Sequence, residues 1–250
     1  MSDKTVKNCP NSGVPYLEAI NHQAGEKIVI KALCKQWNCE YCGQVNLTTH
    51  RARILRGFYE LSEQGYKWSW LTLTCHEKTR GLERSVAVWR SAWTRLSQRM
   101  RDEGKRQGKD IHFVYVPEKH SDGTIHIHGM FPLFLSERWW KDNARACGLG
   151  YQVKMVELKT AGLAVWYCTK YMSKHLDDFG EWVKGFRKIN YSRSFPAFEK
   201  GTSKLEWSVI PPDVALQDAI RNGWQQGLDV RFLGELMQFP FDGNLTPYKI

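Results

Sequence analysis

Nothing in this chain approaches the ~18 consecutive apolar residues that a helix needs to span a bilayer, so no membrane partner is expected. Its opening residues, MSDKTVKNCP, lack the apolar core of a secretory signal. The reading is a cytoplasmic protein, where thiols stay reduced. Its seven cysteines are then unlike a disulfide framework. Internal repeats and low-complexity linkers are absent as well. Acidic residues are in deficit: 26 Asp and Glu face 36 Lys and Arg, a formal net charge of +10. Such a surplus favours a polyanionic partner, nucleic acid first. What the chain does have is 250 residues, 42% of them hydrophobic, and 11 tryptophans. That is enough to bury a core without cross-links.

Four cysteines fall early: Cys9, Cys34, Cys39 and Cys42. The spacing in CKQWNCEYCG, a Cys-x-x-Cys with a third Cys five residues before it, suits a zinc knuckle, because a tight turn brings two thiolates to one tetrahedral ion. Cys9, His22 and His50 are the candidates for a fourth ligand. We read residues 1–45 as a loop-rich, cysteine-rich segment with structural zinc. A helical pattern follows over 47–64, then a buried strand in KWSWLTLTC. Val86, Trp89, Trp93, Leu96 and Met100 form one helical stripe, and DEGKRQGKD at 102–110 reads as a polar turn. IHFVYVPE, TIHIHGMF and YQVKMVEL read as strands, and AGLAVWYCTKYMSKHL as a helix. NYSRSF is a candidate strand and PDVALQDAIRNGW a candidate helix. The expected class is α+β with an antiparallel sheet. The expected division is 1–45, a nuclease domain over 46–200, and an extension of unassigned role over 201–250.

TIHIHGMF carries the first chemical signal. Side chains alternate across a strand, so His126 and His128 share one face. The preceding strand ends in Pro117-Glu118, and KHSDG turns the chain back, which sets Glu118 beside the two imidazoles. A His-His-carboxylate set suits Mg, Mn, Zn or Fe and does not choose among them. The helix carries the second signal. Tyr167, Lys170, Tyr171 and Lys174 lie at i, i+3, i+4 and i+7 and therefore share a face. Lysines there argue against deep burial. A metal on the sheet can grip a phosphate, and a helix tyrosine can attack it, provided that cations stabilise the phenolate.

Three motifs in order resemble the HUH endonucleases, and within them the rolling-circle replication initiators of single-stranded DNA phages and related plasmids. LTLT at 71–74 looks like the family's first motif. HIHGMF looks like its metal motif, and YCTKYMSK like its tyrosine motif in the two-tyrosine form. The resemblance implies a five-stranded antiparallel sheet with flanking helices. It implies Tyr167 and Tyr171 as nucleophiles, assisted by Lys170, and His126, His128 and Glu118 as ligands of Mg or Mn. NYSRSF is similar to a feature that follows the tyrosine helix in some phage initiators, so Arg193 joins Lys174 as an expected DNA contact. Larger members fuse a helicase, but no G-x-x-x-x-G-K-[ST] occurs here, and GKRQGKD has the wrong spacing. The implied partners are single-stranded or origin DNA, with a host helicase and polymerase, in a bacterial host. Two other readings stand beside this one. The first is a relaxase or transposase with the same chemistry. The second is a non-catalytic zinc-knuckle protein that binds nucleic acid.

Overall fold

A computed structural model describes Cys9 and residues 16–76, Thr79, 81–150, 152–177, 186–197, 206–211 and 213–232. In chain order its elements are β1 (Tyr16–Asn21), β2 (Glu26–Lys31), α1 (Glu40–Glu63), β3 (Trp68–Thr74), α2 (Leu82–Arg106), β4 (Val114–Lys119), β5 (Ile125–Pro132), α3 (Glu137–Ala146), β6 (Val153–Leu158), α4 (Ala161–Asp177), β7 (Asn190–Tyr191), β8 (Glu206–Ile210), α5 (Leu216–Gln225) and β9 (Asp229–Phe232). The chain forms two compact units. One joins Met1–Thr49 to Glu199–Ile250, and the other is His50–Phe198. Among the described residues, no helix is long and apolar enough to cross a membrane.

The first unit holds a four-stranded sheet in the order β8-β1-β2-β9. Residues 16–31 are therefore not loop, as their place in a cysteine-rich segment suggested. YLEAIN and EKIVIK pair as an antiparallel hairpin from Tyr16↔Lys31 to Asn21↔Glu26, with Gly25 at φ 64° in the turn. Strand β8 adds antiparallel to β1, and β9 adds parallel to β2. Val29, Ile210 and Ala219 form the core, with Tyr16, Val214, Leu216 and Val230 around them. Lys27 is buried there, and its ammonium meets Glu18 at 2.7 Å and donates to the Ala219 carbonyl at 3.0 Å. A buried charge persists only with such partners.

The second unit is built on a five-stranded sheet, β6-β3-β5-β4-β7, in which every neighbouring pair is antiparallel. Alternation sorts its side chains between two faces. One face gives Leu71, Leu73, Ile125, Ile127 and Phe131 to the main core, where they meet Val86, Trp89, Leu96 and Met100 of α2 and Trp140 of α3. The other face carries Trp70, Thr72, Glu118, His126 and His128, in register across three strands, with α4 over it. Helix α2 runs through DEGKR to Arg106, beyond the turn expected at 102. Side-chain bonds from Gln98 to Asp102 and from Gln107 to Glu103 extend it, as partners four residues apart on a helix do. Gly129 lies where β4 crosses closest to β5. A Cβ there would stand 2.6 Å from both Tyr115 Cβ and the Val114 carbonyl oxygen.

Candidate active site

The hairpin of β4 and β5 makes the site. Its register sets Glu118 opposite His126 and Val116 opposite His128. Ligand atoms of Glu118, His126 and His128 all lie within 4.8 Å of one another. His126 Nε2 is hydrogen-bonded to Glu118 Oε2 at 2.8 Å. His128 Nε2 lies 2.9 Å from the same oxygen but off the line that a hydrogen bond needs, so this buried nitrogen has no hydrogen-bonding partner; nor has His126 Nδ1. Thr72 Oγ1 stands 3.0 Å from His128 Nδ1. In the tautomer that gives the Nδ1 proton to Thr72, His128 Nε2 points a lone pair at a carboxylate oxygen. That arrangement is repulsive until a cation lies between them, and an outer hydrogen bond of this kind is what orients metal-binding histidines.

Protonation agrees with this picture. Burial lowers His128 to about 4, with Glu118 pulling the other way, so the ring is neutral at pH 7 and free to donate its lone pair. Burial raises Glu118, but hydrogen bonds from His126, His128 and Lys174 outweigh it and hold the carboxyl well below the usual range. Two neutral imidazoles and one carboxylate fit a divalent cation and leave room for further oxygen ligands.

Helix α4 lays its tyrosines over this cluster. The Tyr171 ring stacks on His128 with centroids 3.6 Å apart and planes within 10°. Tyr167 stacks on Trp70 at 5.0 Å, and Tyr171 reaches the same indole at 5.8 Å. Both phenols therefore stand on one aromatic platform, one helical turn apart. Burial, then Glu118, then Tyr167 raise the Tyr171 phenol above its ordinary value. Lys174 pairs with the outer oxygen of Glu118, so its first partner is a site carboxylate. Lys170 is exposed, with its ammonium 5.5 Å from the Tyr171 ring centre and 5.6 Å from that of Trp166. Trp166 is 56% exposed and meets Tyr167 edge-on at 4.9 Å. Arg51 of α1 donates to Thr169 at 2.8 Å and so anchors the tyrosine helix. Arg193 is exposed in the turn after β7 and makes no hydrogen bond or ion pair to the site among the described residues.

Trp70 and Thr72 are the site residues that motif spacing did not single out. Their signal lies in WSWLTLT, where period two puts both on one face of β3.

The cysteines form a second cluster, within the first unit. Cys9, Cys34, Cys39 and Cys42 offer sulfurs within 4.8 Å of one another. Cys9 and Cys39 are 3.7 Å apart, and Cys34 and Cys42 are 3.6 Å apart. A tetrahedral ion with metal–sulfur bonds of ~2.3 Å would set its ligands about 3.8 Å apart. All four thiols are unpaired by disulfides. Burial pushes Cys42 up to about 12, with the Cys9 thiol adding to it, so a cation is what makes thiolate stable there. His22 is exposed in the β1–β2 turn, and His50 is hydrogen-bonded to the Tyr191 hydroxyl at 2.9 Å. Cys9 is the residue that completes the four.

The second unit thus presents a candidate metal centre on an antiparallel sheet, with two tyrosines and two lysines on the helix above it. The model of a family described as replication-associated protein ORF2 matches residues 68–176. That span contains Glu118, His126, His128, Tyr167, Lys170, Tyr171 and Lys174, and excludes the cysteine cluster. The match supports a replication initiator. No curated protein and no solved structure matches the chain.

Proposed function

We propose that this chain is an HUH-type endonuclease that nicks and rejoins single-stranded DNA at an origin of rolling-circle replication. The observation that carries the reading is the Tyr171 ring stacked 3.6 Å from the His128 ring, which sets a candidate nucleophile on a candidate metal ligand. Tyr167 shares the Trp70 platform. One phenol oxygen forms a bond to phosphorus and the bond from phosphorus to the 3′ oxygen breaks. The phenolic proton leaves to solvent and the departing 3′ oxygen gains one. The product is a 5′-phosphotyrosine ester that keeps the energy of the cleaved bond. Glu118, His126 and His128 would hold Mg or Mn, which when bound supplies charge neutralisation at the phosphate. Trp70 orients both phenols. Lys170 neutralises charge on the phosphate as it becomes five-coordinate, while Lys174 and Arg193 hold the strand through its phosphates. Host helicase and polymerase, in the cytoplasm of a bacterial host, supply the unwinding and synthesis.

The test is a pool of random single strands incubated with the protein and Mn. A detergent-stable adduct should form, mapping by mass spectrometry to Tyr167 or Tyr171, and chelator should prevent it. No adduct with any strand or divalent ion would overturn the reading.

The cysteine cluster is proposed to hold structural zinc. The purified protein should carry about one zinc per chain. Cys9→Ser should lose it and lower the melting temperature by at least about 5 °C, since metal affinity in such sites is folding free energy. Metal analysis that finds full zinc in Cys9→Ser would remove Cys9 from the ligand set.

A further inference from the structure

Beside the metal centre, a cavity of about 280 Å³ is lined by Thr74, His76, His120, Asp122, Thr124 and Gln152, among others. His120 joins it to the site, for its ring meets His126 at 4.0 Å. Three properties define what it would accept. Among the described residues that line it, none is Lys or Arg, while one is a carboxylate. The cavity is therefore a poor home for phosphate. Its side chains instead offer hydroxyl, amide, imidazole and carboxylate groups, a mixed set of hydrogen-bond donors and acceptors. Thr124 Oγ1 is a buried hydroxyl without a hydrogen-bonding partner, in a residue only 4% exposed. Orphaned hydroxyls of this kind cost stability unless something bonds them.

The surroundings sort charge in a complementary way. Lys170 and Lys174 lie on the helix over the sheet, and Lys154 is exposed opposite Thr72 on β6. A strand lying across the centre meets cations with its phosphates and a neutral polar cavity with one base. The volume is near the lower end of small-ligand sites, which suits one planar heterocycle.

We infer that this cavity binds a single nucleobase next to the cleaved phosphate, and that Thr124 and Gln152 read its hydrogen-bonding edge. The inference rests on the strand-cleavage reading for its substrate, and it explains how a site built around phosphate chemistry would select a sequence.

The test is binding without cleavage. Fluorescently labelled eight-nucleotide homopolymers of deoxyadenosine, deoxycytidine, deoxyguanosine and thymidine are titrated with the full chain in chelator. The intact protein should prefer one of the four by at least about fivefold, the size of one good base contact. Thr124→Val removes the unpartnered hydroxyl at nearly constant shape and should keep the fold. This variant and Gln152→Ala should each bring the preference below about twofold, with the dependence on salt unchanged. Four equal affinities in the intact protein would overturn the inference. So would an equal loss for all four homopolymers together with a shallower salt dependence, which would assign these residues to phosphate. Failure of the cleavage reading shows separately, as a missing adduct in Mn, whatever the base preference.

Discussion

Changing Tyr167 and Tyr171 together to Phe should eliminate the covalent DNA adduct, while either change alone should leave one. The substitution removes an oxygen and keeps the ring, so the stacks on Trp70 and His128 persist. The two-nucleophile reading follows from the platform. Both rings stand on the Trp70 indole, so either hydroxyl can reach a phosphate held at the same centre. One tyrosine would cut the origin. The other would attack the regenerated junction after a round of synthesis, and the freed 3′ hydroxyl would close a circle. The tyrosines are not equivalent, however. Tyr171 is raised by burial and by the Glu118 carboxylate, so its ionisation depends most on positive charge arriving at that site. Tyr171→Phe should therefore flatten the dependence of adduct rate on divalent ion more than Tyr167→Phe does. Detergent gels of the three variants with one labelled strand decide the matter. A single variant, Tyr167→Phe, that forms no adduct while Tyr171→Phe cuts and joins normally would leave Tyr167 as the only nucleophile.

How far the sequence alone reaches can be judged residue by residue. The shared face of His126 and His128 follows from strand alternation, and the approach of Glu118 follows from a short turn between two strands. Both are local facts, and Glu118 is paired with His126 in register. The tyrosine–lysine face of α4 is equally local. What sequence did not show depends on distant parts of the chain. The Thr72–His128 bond joins residues 56 apart, and the Trp70 platform joins β3 to α4 across nearly a hundred positions. The first unit was least legible. Strands β8 and β9 return from beyond residue 205 to flank the β1–β2 hairpin, and no local pattern in YLEAIN or EKIVIK names those partners. Buried Lys27 is a case in point: its charge suggests a surface position, yet Glu18 and the Ala219 carbonyl satisfy it inside.

The second large effect concerns the metal. Cleavage by a His126→Ala/His128→Ala double variant should fall by on the order of a thousandfold or more, because charge neutralisation at the phosphate is worth several kcal/mol. DNA binding should stay within a few-fold of the parent, since lysine and arginine contacts to phosphate dominate affinity. The fold should survive as well. The imidazoles face α4 rather than the main core, and both changes relieve buried nitrogens that have no hydrogen-bonding partner. Thr72→Val supplies the graded control. It keeps both imidazoles but removes the hydroxyl 3.0 Å from His128 Nδ1, and losing an outer partner of a metal-binding histidine typically costs 10- to 100-fold, so about that loss in metal affinity or cleavage is expected. Raising the Mn concentration should then recover part of the Thr72→Val rate and none of the double variant's. That split separates a histidine pair that binds metal from one that merely packs, because a packing role predicts no response to the ion. Cleavage by the double variant at the parent rate would remove the histidines from the mechanism and leave the tyrosines acting through the lysines alone.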